Sequence, residues 1–338
     1  LTVSYSLPLG AAFLALCLST PALGGEPKAR TPEILVEALP LNSHNPQENR
    51  VGRLTYLGGM KLSSQHWLFG GFSGLEVSAD GKQMLSMSDR GTWWTARFVL
   101  KDGVPVGFKD NVLLDMADAA GQTLPKDDQD SEGLTVAGGY AYVSFERNHR
   151  VQRYRLSDPA DITSVAGANA EALPVGDDWK ALPFNGGLEA MTTLSDGTLF
   201  LLSEEGAGAD GYFRGWLKRG NGAYEPFDYP RKAPFNPTDA ERLPNGDILV
   251  LERRYSLLGG LGARLCVIEA ATIKPQARLV CDTVAEMQPP HNIDNMEGLA
   301  VRRNKKGETI VYVIADNNFS ALQRTVLLIF RLDDTPAR

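Results

Sequence analysis

Cysteine and histidine are scarce in this chain, with three of one and four of the other among 338 residues. No His-x-His or His-Glu-x-x-His pattern occurs, so a zinc site is not expected. Cys17 sits in the leading apolar segment behind the bulky Leu16, which argues against lipidation. Cys266 and Cys281 remain, on stretches that read as successive antiparallel strands. Two readings are open for them: a disulfide, worth about 3 kcal/mol in the chain-entropy model, or two separate buried thiols.

Long apolar runs are also missing. Leu7 to Leu18 is too short to span a membrane. The small residues of Ser19 to Gly24 follow it, so 1–24 reads as a cleaved signal peptide, although Leu1 to Ser6 carries no Lys or Arg. The expected mature protein is periplasmic or secreted. Positive charge is in deficit: 34 Lys and Arg against 41 Asp and Glu leave a net charge of −7. That balance argues against non-specific nucleic-acid binding and against an anionic membrane surface. No charged run or Pro/Ser-rich linker divides the chain. The expectation is one domain over 51–333, monomeric, with 25–50 as an N-terminal extension and 334–338 as a tail. Glu26 to Pro32 and Asp333 to Arg338 read as loose ends. Several reactive signatures fail: Gly71-Phe72-Ser73-Gly74 is not Gly-x-Ser-x-Gly, Gly259-Gly260-Leu261-Gly262 is no phosphate loop, and Arg-His-Gly is absent.

What the chain does contain is a repeat. Asp130-Ser131-Glu132-Gly133-Leu134-Thr135-Val136 is followed by Ala141 to Arg147, and four variants recur around Ser73, Glu189, Asp239 and Glu297. These five positions stand 59, 57, 50 and 58 residues apart. A period near 50 with short strands in each unit predicts the blades of a β-propeller. The third copy reads as four strands, Glu189 to Leu194, Thr198 to Ser203, Tyr212 to Lys218 and Ala223 to Tyr229, joined by Gly-, Asn- and Asp-rich turns. The fifth copy has room for three. Val51 to Leu62 would supply the fourth and close the ring. The fold class is therefore an all-β single propeller of four-stranded antiparallel blades, five in number, with six as the alternative.

Geometry then gathers the acids. The start of one strand and the end of its antiparallel partner lie at the same end of the pair. The starts (Ser73, Glu132, Glu189, Asp239, Glu297) and the ends (Asp89, Glu146, Glu204, Glu252, Asp316) should converge on one channel mouth. Arg90, Arg147, Arg253 and Asn317 follow in sequence, and the loops 127–130 and 292–295 add oxygen donors. So many carboxylates require raised pKa values or cations. All donors are oxygens, so Ca²⁺ or another divalent cation is the expected partner, with Glu132, Glu189, Asp239, Glu297 and Asp316 as ligands. The competing account is a set of structural Glu–Arg ladders. His291 and His149 are expected near the same face, as candidate acids or substrate contacts.

Phe72-Ser73-Gly74-Leu75, Asp130 to Leu134, Asp294 to Leu299, Asp316-Asn317-Asn318-Phe319 and Gln323-Arg324-Thr325 resemble the bacterial phytase-like domain family over residues 50–333. That resemblance implies an exported phosphoesterase acting on a small phosphate ester. The chain departs from its Glu-Gly-Leu pattern at Ser73, Ala190 and Asp239-Ala240. The expected catalytic residues are Glu132, Glu297 and Asp239, with Arg90, Arg147, Arg253 and His291 binding substrate. The rivals are a non-catalytic ligand-binding or scaffold propeller and a Ca²⁺-dependent lactonase or carboxylic esterase.

Overall fold

The computed structural model describes residues 25–165, 167–256 and 260–333. The expected signal peptide, 1–24, and tail, 334–338, lie outside them. Short strands form five antiparallel sheets arranged as a five-bladed propeller. Blade one is Phe72–Val77, Gln83–Ser88, Thr92–Lys101 and Val104–Asp115. Blade two is Ser131–Ala137, Tyr140–Phe145, Arg150–Arg155 and Ala170–Ala172. Blade three is Leu188–Thr193, Leu199–Ala207, Tyr212–Lys218 and Tyr224–Pro230, within a residue or so of expectation except where the second strand runs on. Blade four is Asn236–Arg242, Ile248–Ser256, Gly260–Ile268 and Asp282–Met287. Blade five takes Asn295–Arg303, Thr309–Asp316 and Thr325–Leu332 from the C-terminal end and Leu54–Ser63 from the N-terminal end.

Local chemistry explains the hairpins. Gly197 adopts φ 81° and donates to Leu194 O, while Asp196 Oδ1 caps Thr198 N at 3.0 Å. A side chain would resist that left-handed backbone, and Asp supplies the capping oxygen.

Each of five apolar clusters fills one interface between neighbouring blades. Leu251, Leu265 and Met287 pack on Leu299, Val313 and Phe330 between blades four and five. Ile314, Leu327 and Ile329 meet Leu75, Trp94 and Phe98 where blade five meets blade one. Strand alternation sends the consecutive Trp93 and Trp94 to opposite interfaces, one toward blade two and one toward blade five. Burial of these faces fixes strand register, since a slip of one residue would expose a whole face.

The N-terminal stretch expected to be loose is attached. Ala29–Arg30 adds an edge strand to blade one, and Leu35–Ala38 adds one to blade five. Arg30 pairs with Asp115 at 2.7 Å, and Asp333 is held by Arg50, Arg331 and Thr55. Extra edge strands shield the outer rims of the two blades where the chain closes. In blade four, Cys266 and Cys281 form a disulfide with Cα atoms 5.3 Å apart, and Cys266 lies beside Tyr229 of blade three. Among the described residues, no helix is long and apolar enough to cross a membrane.

Candidate functional site

The five inner strands surround the channel, and each begins with a bulge. Pairing runs Phe72↔Ser88 then Gly74↔Met87, Leu188↔Ser203 then Ala190↔Leu202, Pro237↔Glu252 then Asp239↔Leu251, and Met296↔Ala315 then Gly298↔Ile314. In blade two it passes from Ser131↔Phe145 to Leu134↔Val143. The residues omitted from pairing are therefore Ser73, Glu132 with Gly133, Glu189, Thr238 and Glu297. A bulge of this kind re-aims a side chain. A residue with a side chain would not fit at Gly133, because its Cβ would fall 2.4 Å from Glu189 O of the next blade.

Opposite these bulges, one residue past the last partner before each, the second strands or their continuations carry Asp89, Glu146, Glu204, Arg253 and Asp316. Blade four thus departs from expectation at both positions by one residue. Thr238 occupies the place assigned to Asp239, and Arg253 the place assigned to Glu252. Asp239 faces the blade interface, where it accepts from Leu299 N at 2.6 Å and Ala240 N at 2.8 Å. It is fully buried and does not line the cavity, contrary to expectation. Glu252 is likewise buried, paired with Arg264 and accepting from Tyr229 Oη at 2.6 Å.

The resulting cavity of about 260 Å³ is lined by Ser73, Asp89, Asp130, Glu132, Glu146, Arg147, Asn185, Gly186, Glu189, Glu204, Arg253, Asn295, Glu297, Asp316 and Asn318. Eight of these are acids and two are arginines. Glu132, Glu189, Glu297 and Asp316 are placed as expected. Asp130 joins them because its backbone carbonyl pairs with Glu146 N and brings its side chain beside Glu132. Its position in the 127–130 loop was legible, but its role as a principal wall residue was not.

The hydroxyl positions act differently from the carboxylates. Ser73 Oγ donates to Ser131 O at 2.5 Å, and Thr238 Oγ1 donates to Met296 O at 3.1 Å. In each case the acceptor immediately precedes the glutamate of the next blade. Blades one and four therefore clasp their neighbours, and blades two, three and five present carboxylates.

Electrostatics follow from burial and crowding. Burial raises Glu132 well above its ordinary value, and Glu146, Asp130 and Glu297 raise it further. Glu189 is raised well above its own by burial, Glu204 and Glu132. Burial pushes Glu146 up to about 7, although Gly187 N and Gly186 N both donate to it. Burial pushes Asp316 up to about 7 and Asp89 to about 6. Glu297 rises to about 8 through burial, with Arg253 opposing and Asp316 adding to the rise. The wall cannot be fully ionised without added positive charge.

Arg253 supplies part of that charge. Its Nη1 donates to Asn295 Oδ1 at 2.8 Å, its Nη2 to Glu204 Oε1 at 3.0 Å, and its Nε lies 3.2 Å from Glu297. Burial works against its charge, yet Glu297 and Glu204 outweigh burial and raise its pKa. Arg147 Nε pairs with Asp130 at 2.7 Å, and its side chain is 41 % exposed at the rim. Arg90 does not line the cavity; its guanidinium stacks 3.3 Å above the Phe319 ring. His291 is also displaced. It bonds Glu48 at 3.0 Å and pairs with Asn42 of the N-terminal segment, because the loop it occupies folds outward over that segment. His149 lies behind the wall with Nε2 2.8 Å from Pro183 O.

Among the described residues, one group has ligand atoms mutually within 4.8 Å in a pattern suited to a metal ion: Asp130, Glu132 and Glu146. The expected ligand set is thus narrowed to Glu132 and extended by two neighbours, with Glu189, Glu297 and Asp316 elsewhere on the wall. Three carboxylates of this kind are a hard-oxygen donor set that fits Ca²⁺ or a similar divalent cation.

Residues 68–319 match the family described as "Phytase-like: Esterase-like activity of phytase". The chain belongs to this family. The match covers all five inner strands of the phytase-like propeller and so the whole cavity wall. No match exists among curated proteins. Similar solved structures include an α-L-arabinofuranosidase of Clostridium thermocellum, 12% identical, TM-score 0.42, covering 71% of this chain and 80% of that one. Another is the α-L-arabinofuranosidase PaAbf62A of Podospora anserina in complex with cellotriose, 11% identical, TM-score 0.49, covering 85% of this chain and 98% of that one. At these values the likeness carries nothing about activity.

Proposed function

We propose that this phytase-like propeller is an exported hydrolase of phosphate esters that works with a divalent cation, Ca²⁺ by preference, at the channel mouth. The observation that carries the reading is the convergence of eight carboxylates on one cavity with two arginines to offset them. A structural ladder pairs acid with base, as Glu252 pairs with Arg264. Here the acids are in excess, and Asp130, Glu132 and Glu146 offer the oxygens that would hold the missing positive charge.

When bound, such a cation supplies Lewis-acid polarisation of a phosphoryl oxygen. Arg147, at the rim, holds a second phosphoryl oxygen. Asp316 and Glu297 both line the cavity, and burial raises both well into the neutral range. One of the two takes a proton from the attacking water and the other gives a proton to the leaving alkoxide. The water oxygen ends on phosphorus, the phosphorus–oxygen ester bond breaks, and the alcohol leaves neutral.

Metal content of the purified protein tests this first. Hydrolysis of p-nitrophenyl phosphate, bis-p-nitrophenyl phosphate and a lactone, with and without Ca²⁺, tests it second. The expected result is bound metal and chelator-sensitive phosphate release, both lost in Glu132→Gln. Lactone turnover alone would reassign the reaction to a carboxylic ester. No metal and no turnover would leave a non-catalytic binding propeller.

A further inference from the structure

Beside the carboxylate cavity lies a second hollow of about 510 Å³, lined by Asp127, Asp128, Arg147, Asn148, Phe184 and Asn185. Arg147 and Asn185 line both spaces, so the two are contiguous. Phe184 is 67% exposed at this hollow, with its ring centroid 6.0 Å from the Arg147 guanidinium carbon. Arg147 N also donates to Phe184 O at 3.3 Å, which ties the two residues across neighbouring blades. Arg147 adopts φ 57°, a left-handed backbone that a residue with a side chain rarely takes. Strain of this kind persists where surrounding contacts fix it, and it clusters at ligand sites.

Two further observations limit what could bind. The first is the supply of cationic groups. Arg253 is engaged by Asn295, Glu204 and Glu297, Arg150 donates to Asp128 and Asn148 carbonyls, and Arg90 lies on Phe319. Of these four, Arg147 and Arg253 line the acidic cavity, and Arg147 is the more exposed of the two, at 41% against 27%. A ligand with many phosphates would meet eight carboxylates and one exposed arginine, whose Nε is already paired with Asp130. The second is apolar exposure. Trp67, Phe184 and Tyr255 are each 67% exposed, and all three stand on the face where the inner strands begin and the second strands end. Of the three, Phe184 lines the hollow itself and offers an aromatic face to a ligand there.

We propose that the Arg147–Phe184 hollow is the leaving-group subsite, and that the substrate is a monophosphorylated ester whose leaving group is a planar aromatic or heteroaromatic ring. The phosphate would sit at the cavity mouth against Arg147, and the ring would lie on Phe184. The reaction assigned to this substrate rests on the phosphoesterase reading above; the subsite itself does not require turnover.

Kinetics of the whole chain on phenyl phosphate, glycerol 2-phosphate and inositol hexakisphosphate test the proposal, with calorimetric binding of phenylphosphonate and methylphosphonate in parallel. Phenyl phosphate should be preferred over glycerol 2-phosphate by about tenfold in kcat/KM, the scale of one aromatic contact. Phe184→Ala should abolish that preference through KM, and Phe184→Trp should keep it. Phenylphosphonate should bind about tenfold more weakly to Phe184→Ala than to the parent, with methylphosphonate unaffected. Preference for inositol hexakisphosphate would overturn the proposal. So would equal effects of Phe184→Ala on both simple esters. Phe184-dependent phenylphosphonate binding without turnover of any ester would keep the subsite and remove the hydrolase reading. Turnover with no dependence on Phe184 would do the reverse.

Discussion

Arg253 Nη2 stands 3.0 Å from Glu204 Oε1, and it does so from the ring position where the other four blades place an acid. One blade thus turns its guanidinium into the channel and ties the carboxylates of blades three and five. Replacing it with Met should leave those buried acids unpaired, at a cost of about 3–5 kcal/mol. Chemical denaturation checks the loss. Ca²⁺ should restore part of it, and a variant as stable as the parent without metal would show that Arg253 does not hold the wall together.

Stability should fall with rising pH when metal is removed. Asp89 is pushed to about 6, Glu146 and Asp316 to about 7, and Glu297 to about 8. In the unfolded chain, carboxylates titrate near ~4. The folded state therefore holds more protons across that interval, so this contribution is complete below the unfolded values and is lost as pH climbs through the folded ones. Melting temperatures from about pH 5 to about pH 9 in chelator should decline, and excess Ca²⁺ should flatten the curve. A melting temperature that rises with pH in chelator would contradict the crowded-acid account.

Asp239→Ala should separate structure from chemistry. It removes the acceptor for Leu299 N and Ala240 N in a fully buried place. Stranded donors there cost about 1–3 kcal/mol each. The melting temperature should drop while metal stoichiometry is kept. Loss of metal at full stability would return Asp239 to the ligand set.

Reduction of the Cys266–Cys281 bridge, or Cys281→Ser, should destabilise by about 3 kcal/mol, the expectation for a loop of roughly 15 residues. The bridge staples blade four, and neither cysteine lines the cavity. Catalytic parameters measured well below the melting temperature should stay unchanged.

Asp130→Asn should weaken metal binding, since Asp130 belongs to the three-carboxylate group. It also frees Arg147, its partner at 2.7 Å. Calorimetric Ca²⁺ titration should show lower affinity than for the parent; unchanged affinity would move the cation elsewhere on the wall.

The amino-acid order alone determined the repeat, the hairpin turns and the strand that closes the ring, and it favoured five blades over six. These follow from local chemistry: glycine where backbones turn left-handed, alternation where one face is buried, and acids at strand ends on one side. Aligning acids with acids led to Asp239 and Glu252, one position away from Thr238 and Arg253.

Tertiary structure alone decided which of two adjacent residues faces the channel, because a bulge resets the two-residue period of a strand and no local preference marks that point. It also decided which charges are free. His291 neighbours the last inner strand in sequence yet reaches Glu48 of the N-terminal segment, 243 residues earlier in the chain. Arg90 and Arg147 both follow a second strand, but one stacks on Phe319 and the other opens toward the mouth. Pairings of that kind depend on segments far apart in the chain, and only the closed ring brings them within reach.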